Sequence, residues 1–241
     1  MRWILLCCAL AGHAAAAKAP LRICVDDQPH PPYVYPDHDG SLQQLVRAAA
    51  AQAGRTVHFL PAPILRCREL ARTGGIDGQL AMAYISANLA LYAFPYRRGA
   101  IDTERAVVST RTMAFRLKGS TVQWDGKRFD GLATPVLIPR GVLLLEERLG
   151  AMGQPFDAGA RASDANFDKL LAGRGALAIG YEHDGQALLK SARYAGKIDM
   201  LALPFTEEFS FLVFSQPYYR ANTDEAERLW TAIGVLKKKS P

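Results

Sequence analysis

The sequence predicts an α/β fold in two lobes, each a mostly parallel sheet flanked by helices, with two extended crossings joining them. Three observations carry that prediction. The first third of the chain runs strand, loop, helix, strand, helix, strand, the order that crossover helices need to lay parallel strands side by side. A similar order returns between about residues 135 and 203. Two further extended stretches, Ala106–Arg116 and Phe209–Phe214, lie between and after these units, one for each crossing.

Each element follows from a local pattern. Leu21–Val25 alternates and carries β-branched residues, so it reads as a strand. The stretch Asp26–Pro36 holds Pro29, Pro31, Pro32 and Pro36 and must be a loop. Leu42, Leu45, Val46, Ala49 and Ala53 form a helical stripe that Gly54 stops. A second strand spans Thr56–Leu60, and Pro63 opens a helix that ends near Gly74 and Gly75. Gln79–Ala83 is the third strand. In the second unit the reading is strand Pro135–Ile138, helices Val142–Leu149 and Asn166–Ala172, strand Ala176–Ile179, helix Gly185–Ala195 and strand Ile198–Leu203. Asp224–Lys238 closes the chain as a helix with Ala226, Leu229, Trp230, Ile233 and Leu236 on one face.

Composition narrows the function. The 241 residues are 49% hydrophobic and 22% charged, which excludes a disordered chain. The net charge of +6 is scattered, and Lys237–Lys239 is the one basic run, so nucleic acid is not an expected partner. Residues 1–17 place Arg2 before an apolar run and end on Ala15-x-Ala17, the pattern of a cleaved secretory signal. Cys7 and Cys8 lack the small preceding residue that a lipid-modified cysteine needs. Cys24 and Cys67 then sit in an oxidising compartment, where they either bridge or remain two buried thiols; spacing does not decide. His13, His30, His38, His58 and His183 show no metal-ligand spacing, and no metal or cofactor is expected. Gly173-Arg174-Gly175 precedes a strand, the wrong context for dinucleotide binding, and there is no nucleophile-elbow sequence.

Several short motifs occur in a telling order: Leu21–Asp27, then Pro31-Pro32-Tyr33, Asp39-Gly40, Gly74-Gly75-Ile76-Asp77, Phe94-Pro95, Arg140-Gly141 and Ala172-Gly173-Arg174. Together, over residues 21–236, they resemble the family 3 bacterial extracellular solute-binding proteins. The resemblance implies a two-lobed type II periplasmic-binding-protein fold with lobe one at 18–112 and 214–241 and lobe two at 113–213. It also implies a periplasmic, monomeric, non-catalytic receptor. Its lobes would close on a small polar solute and be read by an ABC-type permease or a sensor in the inner membrane.

The resemblance breaks at the groups that hold amino acids. The family's carboxylate-gripping Arg, six residues before the Phe of Phe94-Pro95, is here Asn88. The ammonium-binding Asp is replaced by Tyr181, with Glu182 next to it but pointing elsewhere by strand alternation. Val142 and Leu143 stand where hydroxyls often follow the Arg140-Gly141 turn, leaving helix-start N–H groups that still suit an anion. A standard free α-amino acid is therefore not the expected ligand. Asp27, His30 and Tyr33, after the first strand, are candidate ligand contacts by the strand-end rule; the plain alternative is a proline-stiffened surface loop. Arg66, Tyr84 and Ser86 are further candidates, against a solvated helix charge for Arg66 and a core side chain for Tyr84. Rival functions are an enzyme resembling cyclohexadienyl dehydratase, with Asp27, His30 and Glu182 as acid–base groups, or a ligand-poor homologue that serves as a sensor or interaction protein.

Overall fold

The computed structural model describes residues 18–239; the expected signal segment, with its cleavage site and Cys7 and Cys8, lies outside them. The first unit comprises β1 (Leu21–Asp26), α1 (Ser41–Gln52), β2 (Val57–Ala62), α2 (Ile64–Arg72), β3 (Gly78–Ala83) and α3 (Ser86–Leu89). Short strands β4 (Tyr92–Ala93), β5 (Tyr96–Arg97) and β6 (Ala100–Ile101) lead into the long β7 (Val108–Leu117), which is followed by the small pair β8 (Gln123–Trp124) and β9 (Phe129–Asp130). The second unit contains β10 (Val136–Pro139), α4 (Leu143–Ala151), β11 (Phe156–Ala160), α5 (Ser163–Leu171), β12 (Leu177–Tyr181) and α6 (Glu182–Leu189). The chain finishes with β13 (Ile198–Ser215), α7 (Gln216–Ala221) and α8 (Thr223–Lys239).

One curled sheet runs through both units in the order β11-β10-β12-β7-β13-β3-β1-β2, with β4 alongside β13. β1 pairs in parallel with β2 and β3, and β10 with β11 and β12. The two parallel blocks are joined by β7 and β13, which run antiparallel to each other from Ser210 opposite Val108 to Ile198 opposite Leu117. Residues on both faces of β1 are buried: Ile23 packs with Val46, Trp230 and Phe214, while Cys24 packs on the other side with Ile76, Phe94 and Phe211. A parallel strand covered by helices on both sides needs that two-sided burial. The second block repeats the plan, with Ile138, Leu145, Leu149 and Phe205 on one side and Phe115, Phe167 and Leu170 on the other.

Several boundaries differ from those read locally. Ile198–Leu203 and Phe209–Phe214 are parts of one 18-residue strand. Pro204, which lacks an N–H, is accommodated where the register against β7 shifts on both its sides. β11 has no apolar alternation, because it is a half-exposed edge that includes Gly159. α6 begins at Glu182, three residues before the expected Gly185, which brings His183 and Asp184 into its first turn. Ser215 opens the unexpected α7, its Oγ accepting from Tyr218 N–H at 3.4 Å.

Two close approaches aim the loops that matter below. A Cβ on Gly40 would stand 2.3 Å from the Tyr33 carbonyl oxygen, so only glycine lets the proline-rich loop lie on the start of α1. A Cβ on Gly185 would stand 2.1 Å from Phe115 Cζ, so glycine also seats α6 directly on β7. Cys24 and Cys67 are joined in a disulfide with Cα atoms 5.8 Å apart, tying β1 to α2 inside the core.

Candidate functional site

The carboxyl ends of β1 and β3 meet the start of α4 and the end of β12, and a cavity of about 90 Å³ lies between them. Its walls are mostly apolar, with Leu42, Leu80, Met82, Ile85 and Leu143 among them. Its polar groups include Asp26 at the end of β1, His30 and Tyr33 on the loop after it, Arg68 on α2, Gln79 on β3, Asn88 on α3, Thr110 and Ser210 on the crossing strands, and Tyr181 and His183 at the β12–α6 junction, while Gly141 and Val142 bring in the start of α4. Convergence of strand ends and helix starts is the ordinary site geometry of an open α/β sheet.

Arg68 supplies a guanidinium that the one-dimensional pattern lacks at position 88. It donates to Asn88 Oδ1 and, at 2.8 Å, to the Ala87 carbonyl. Asn88 is buried and donates its Nδ2 to the Ala83 carbonyl at 2.8 Å, so both ends of its amide serve to hold the arginine. Arg66, two residues earlier on α2, is exposed. Two helical residues are about 200° apart around the axis, so Arg68 faces the cavity when Arg66 faces water. At the start of α4, the N-cap residue Val142 has no side-chain acceptor, and orphan first-turn N–H groups stand at the cavity wall.

His30 binds the two halves together. Its Nδ1 is 2.8 Å from Asp184 Oδ2 and its Nε2 is 3.0 Å from Asp26 Oδ2. Burial by itself would push the imidazole pKa down, but the Asp184 and Asp26 carboxylates outweigh it and hold it up at about 10. Burial pushes Asp184 up, and the His30 and His183 imidazoles beside it overcome that and leave it lowered. Burial, with Asp184 and Asp26 nearby, raises the Tyr181 phenol. Tyr181 stacks on His183 with ring centroids 5.5 Å apart, and Tyr33 meets His183 edge-on at 4.8 Å. The donor atoms of His30, His183 and Asp184 all lie within 4.8 Å of one another.

Of the residues singled out from the sequence, His30, Tyr33, Asn88, Gly141, Val142 and Tyr181 line the cavity. The others are placed elsewhere. Asp27 forms an ion pair with Arg161, and Glu182 with Arg111 at 2.7 Å. The Tyr84 hydroxyl meets that of Tyr96 at 3.0 Å. Ser86 Oγ and Ala87 N–H both donate to Glu147 Oε1, at 3.0 and 3.1 Å, a further contact between the units beside His30–Asp184 and Asp27–Arg161. Arg140 donates to the carbonyls of Ala158 and Gly159 beside a second cavity, which also touches His30 and Asp184. Local patterns pass over Asp26, Arg68, His183 and Asp184. The strand-end rule that marks Asp27 covers Asp26 equally; the other three have no one-dimensional signal.

No protein-family model matches the chain, and no curated protein matches it. Solved structures do. A histidine kinase sensor domain with similarity to periplasmic binding proteins superposes with a TM-score of 0.73 at 16% identity, covering 92% of both chains. The substrate-binding protein of an amino acid ABC transporter gives 0.71 at 14% identity, covering 92% of this chain and 94% of that one. The GluR0 ligand-binding core from Nostoc punctiforme, solved with L-glutamate, gives 0.68 at 13%, covering 91% and 94%. Together with the two parallel blocks, the paired crossing strands and the cavity between them, these likenesses show that the chain has the two-lobed type II periplasmic-binding-protein fold.

Proposed function

We propose that the protein is an exported, non-catalytic solute-binding protein that holds a small anion with an apolar body in the cavity between its lobes, residues 18–112 with 214–241 and residues 113–213. The observation that carries this reading is the placement of the Arg68 guanidinium and the uncapped α4 start in one largely apolar cavity. Both offer donors to a carboxylate. The acids nearest the cavity, Asp26 and Asp184, each spend one oxygen on the His30 between them, so the imidazolium already supplies a positive charge where a ligand ammonium would sit. The charged grip missing at position 88 therefore returns from α2 for a carboxylate, while no equivalent returns for an amine. His30 has both ring nitrogens occupied by carboxylates, which favours binding over acid–base chemistry. Likeness to an ABC transporter's binding protein and to a kinase sensor domain supports either a permease or a sensor as the reader of the closed form. Export through residues 1–17 places it in the periplasm.

The test compares molecules that differ only by the amine. Thermal unfolding of the purified protein is followed with 4-methylpentanoate and L-leucine, with L-arginine, L-glutamate and a sugar as further arms. A bound solute at a hundred times its dissociation constant stabilises by roughly 2.7 kcal/mol. Stabilisation by 4-methylpentanoate beyond that by L-leucine supports the reading; equal or greater stabilisation by any of the three amino acids overturns it.

A further inference from the structure

We propose that His30, His183 and Asp184 form a binding site for a borderline-soft divalent cation of the Zn²⁺ or Ni²⁺ type, which joins the two halves of the molecule. The three donors come from two elements far apart in the chain, the loop after β1 and the first turn of α6, and lie within 4.8 Å of one another. A tetrahedral metal with bonds of about 2.0–2.1 Å needs its ligand atoms roughly 3.3 Å apart. His30 Nδ1 is now 2.8 Å from Asp184 Oδ2, and His183 Nε2 is 3.2 Å from Asp184 Oδ1. The donor atoms, now within 4.8 Å of one another, would draw together by up to about 1.5 Å around the ion.

A second observation points to a ligand independently of the spacing. The Asp184 side chain is 8% exposed, and its Oδ1 has no hydrogen-bond partner among the described residues. The 3.2 Å approach of His183 lacks hydrogen-bond alignment. A buried carboxylate oxygen left without a donor is costly, and a cation beside it removes that cost. Asp26 completes the arrangement from behind. It holds His30 Nε2 at 3.0 Å, the usual way in which a carboxylate orients a metal-ligating imidazole, and Nδ1, now 2.8 Å from Asp184 Oδ2, is the atom turned to the ion.

The donor set decides the class of ion. Two imidazoles and one carboxylate suit Zn²⁺, Ni²⁺ or Cu²⁺, whereas Mg²⁺ and Ca²⁺ require a shell of oxygens. Two carboxylates, Asp26 and Asp184, balance one dication. Both histidines also wall the central cavity, so water or a solute oxygen has access to a fourth position. The metal would displace the His30 Nδ1 proton, which is released to solvent, and take the place of the direct His30–Asp184 contact at the same seam. This inference stands apart from the identity of the solute.

The test uses tag-free protein stripped with a chelator and titrated calorimetrically with ZnCl₂, NiCl₂ and MgCl₂. The expected result is one Zn²⁺ or Ni²⁺ per chain and no comparable uptake of Mg²⁺. Asp26→Asn is expected to weaken binding roughly 10–100-fold, the usual effect of losing an orienting partner. His183→Gln and Asp184→Asn should weaken it further, and the exposed His58→Gln not at all. Circular dichroism of the metal-free variants verifies their folding. Co²⁺ added to the unaltered protein gives a readout that needs no variant, namely visible absorption of tetrahedral intensity. Binding that His183→Gln leaves unchanged, Mg²⁺ as tight as Zn²⁺, less than one ion per chain, or octahedral-weak Co²⁺ absorption would each overturn the proposal.

Discussion

Replacing both Cys24 and Cys67 by alanine is the perturbation whose size follows most directly from the structure. The disulfide closes a loop with a sequence separation of 43 and ties β1 to the middle of α2. In the loop-entropy account, a cross-link over that separation lowers the entropy of the unfolded chain enough to stabilise the fold by about 4 kcal/mol. For a chain of this size each kcal/mol moves the melting temperature by roughly 2–4 °C, so the double variant should melt roughly 8–16 °C below the parent. Both sulfurs are fully buried, so their truncation adds a packing loss. Reducing the unaltered protein separates the two effects, since it opens the cross-link without deleting atoms. Calorimetric melting with and without reductant measures the shift. Hydrogen exchange along Ile64–Arg72 measures what happens to α2, where Arg68 directly follows Cys67. A shift under about 3 °C, with α2 as protected as before, would refute the view that this cross-link holds the arginine-bearing helix in place.

Three other outcomes are expected. Arg68→Met leaves the buried Asn88 Oδ1 without its donor, a cost of about 1–3 kcal/mol readable by denaturant unfolding. It should also weaken any carboxylate bound in the cavity by roughly 10–100-fold in calorimetry, and Arg68→Lys should not restore the two-point contact with Asn88 and Ala87. Gly185→Ala drives a methyl against Phe115 and should lower stability by about 1–3 kcal/mol or more, measured by thermal melting. Acid unfolding should depend on Glu225. Burial pushes this carboxyl up, but the Tyr218 hydroxyl, Lys18 and Arg55 together hold it below its ordinary value. Its contribution is present above the ordinary carboxylate range of about 4.3 and is lost as pH falls through its lowered value. Glu225→Gln should flatten that part of the stability–pH curve; an unchanged slope would count against the network.

What could be read along the chain was local. Apolar alternation marks β1 and β3, a 3.6-residue stripe marks α1 and α8, and Gly54 and Pro63 mark a stop and a start, because these signals depend only on neighbours a few residues away. Repetition of such units, with two extended stretches between and after them, was enough to indicate the two-lobed α/β fold. β11 escaped because a half-exposed edge strand of Phe156–Ala160, with Gly159 inside it, carries no apolar alternation. The union of Ile198–Leu203 with Phe209–Phe214 escaped because Pro204 reads as a break until its partner strand shows the register shift that accommodates it.

The chemistry of the cavity obeyed a different rule. His30 and Asp184 touch across a separation of 154 residues, and no spacing along the chain encodes that contact. The histidines looked unpaired for the same reason, although folding gathers His30, His183 and Asp184 into one cluster. Arg66 and Arg68 are equivalent as letters; the phase of α2, anchored by the Cys67 bridge, decides which one meets Asn88. Sequence alone determined which segments become strands and helices, and in what order, since those choices follow from backbone preference and nearby burial. Only the tertiary structure decided which charges face one another, since that depends on strand register, helix rotation and the closing of two distant surfaces to within a hydrogen bond's length.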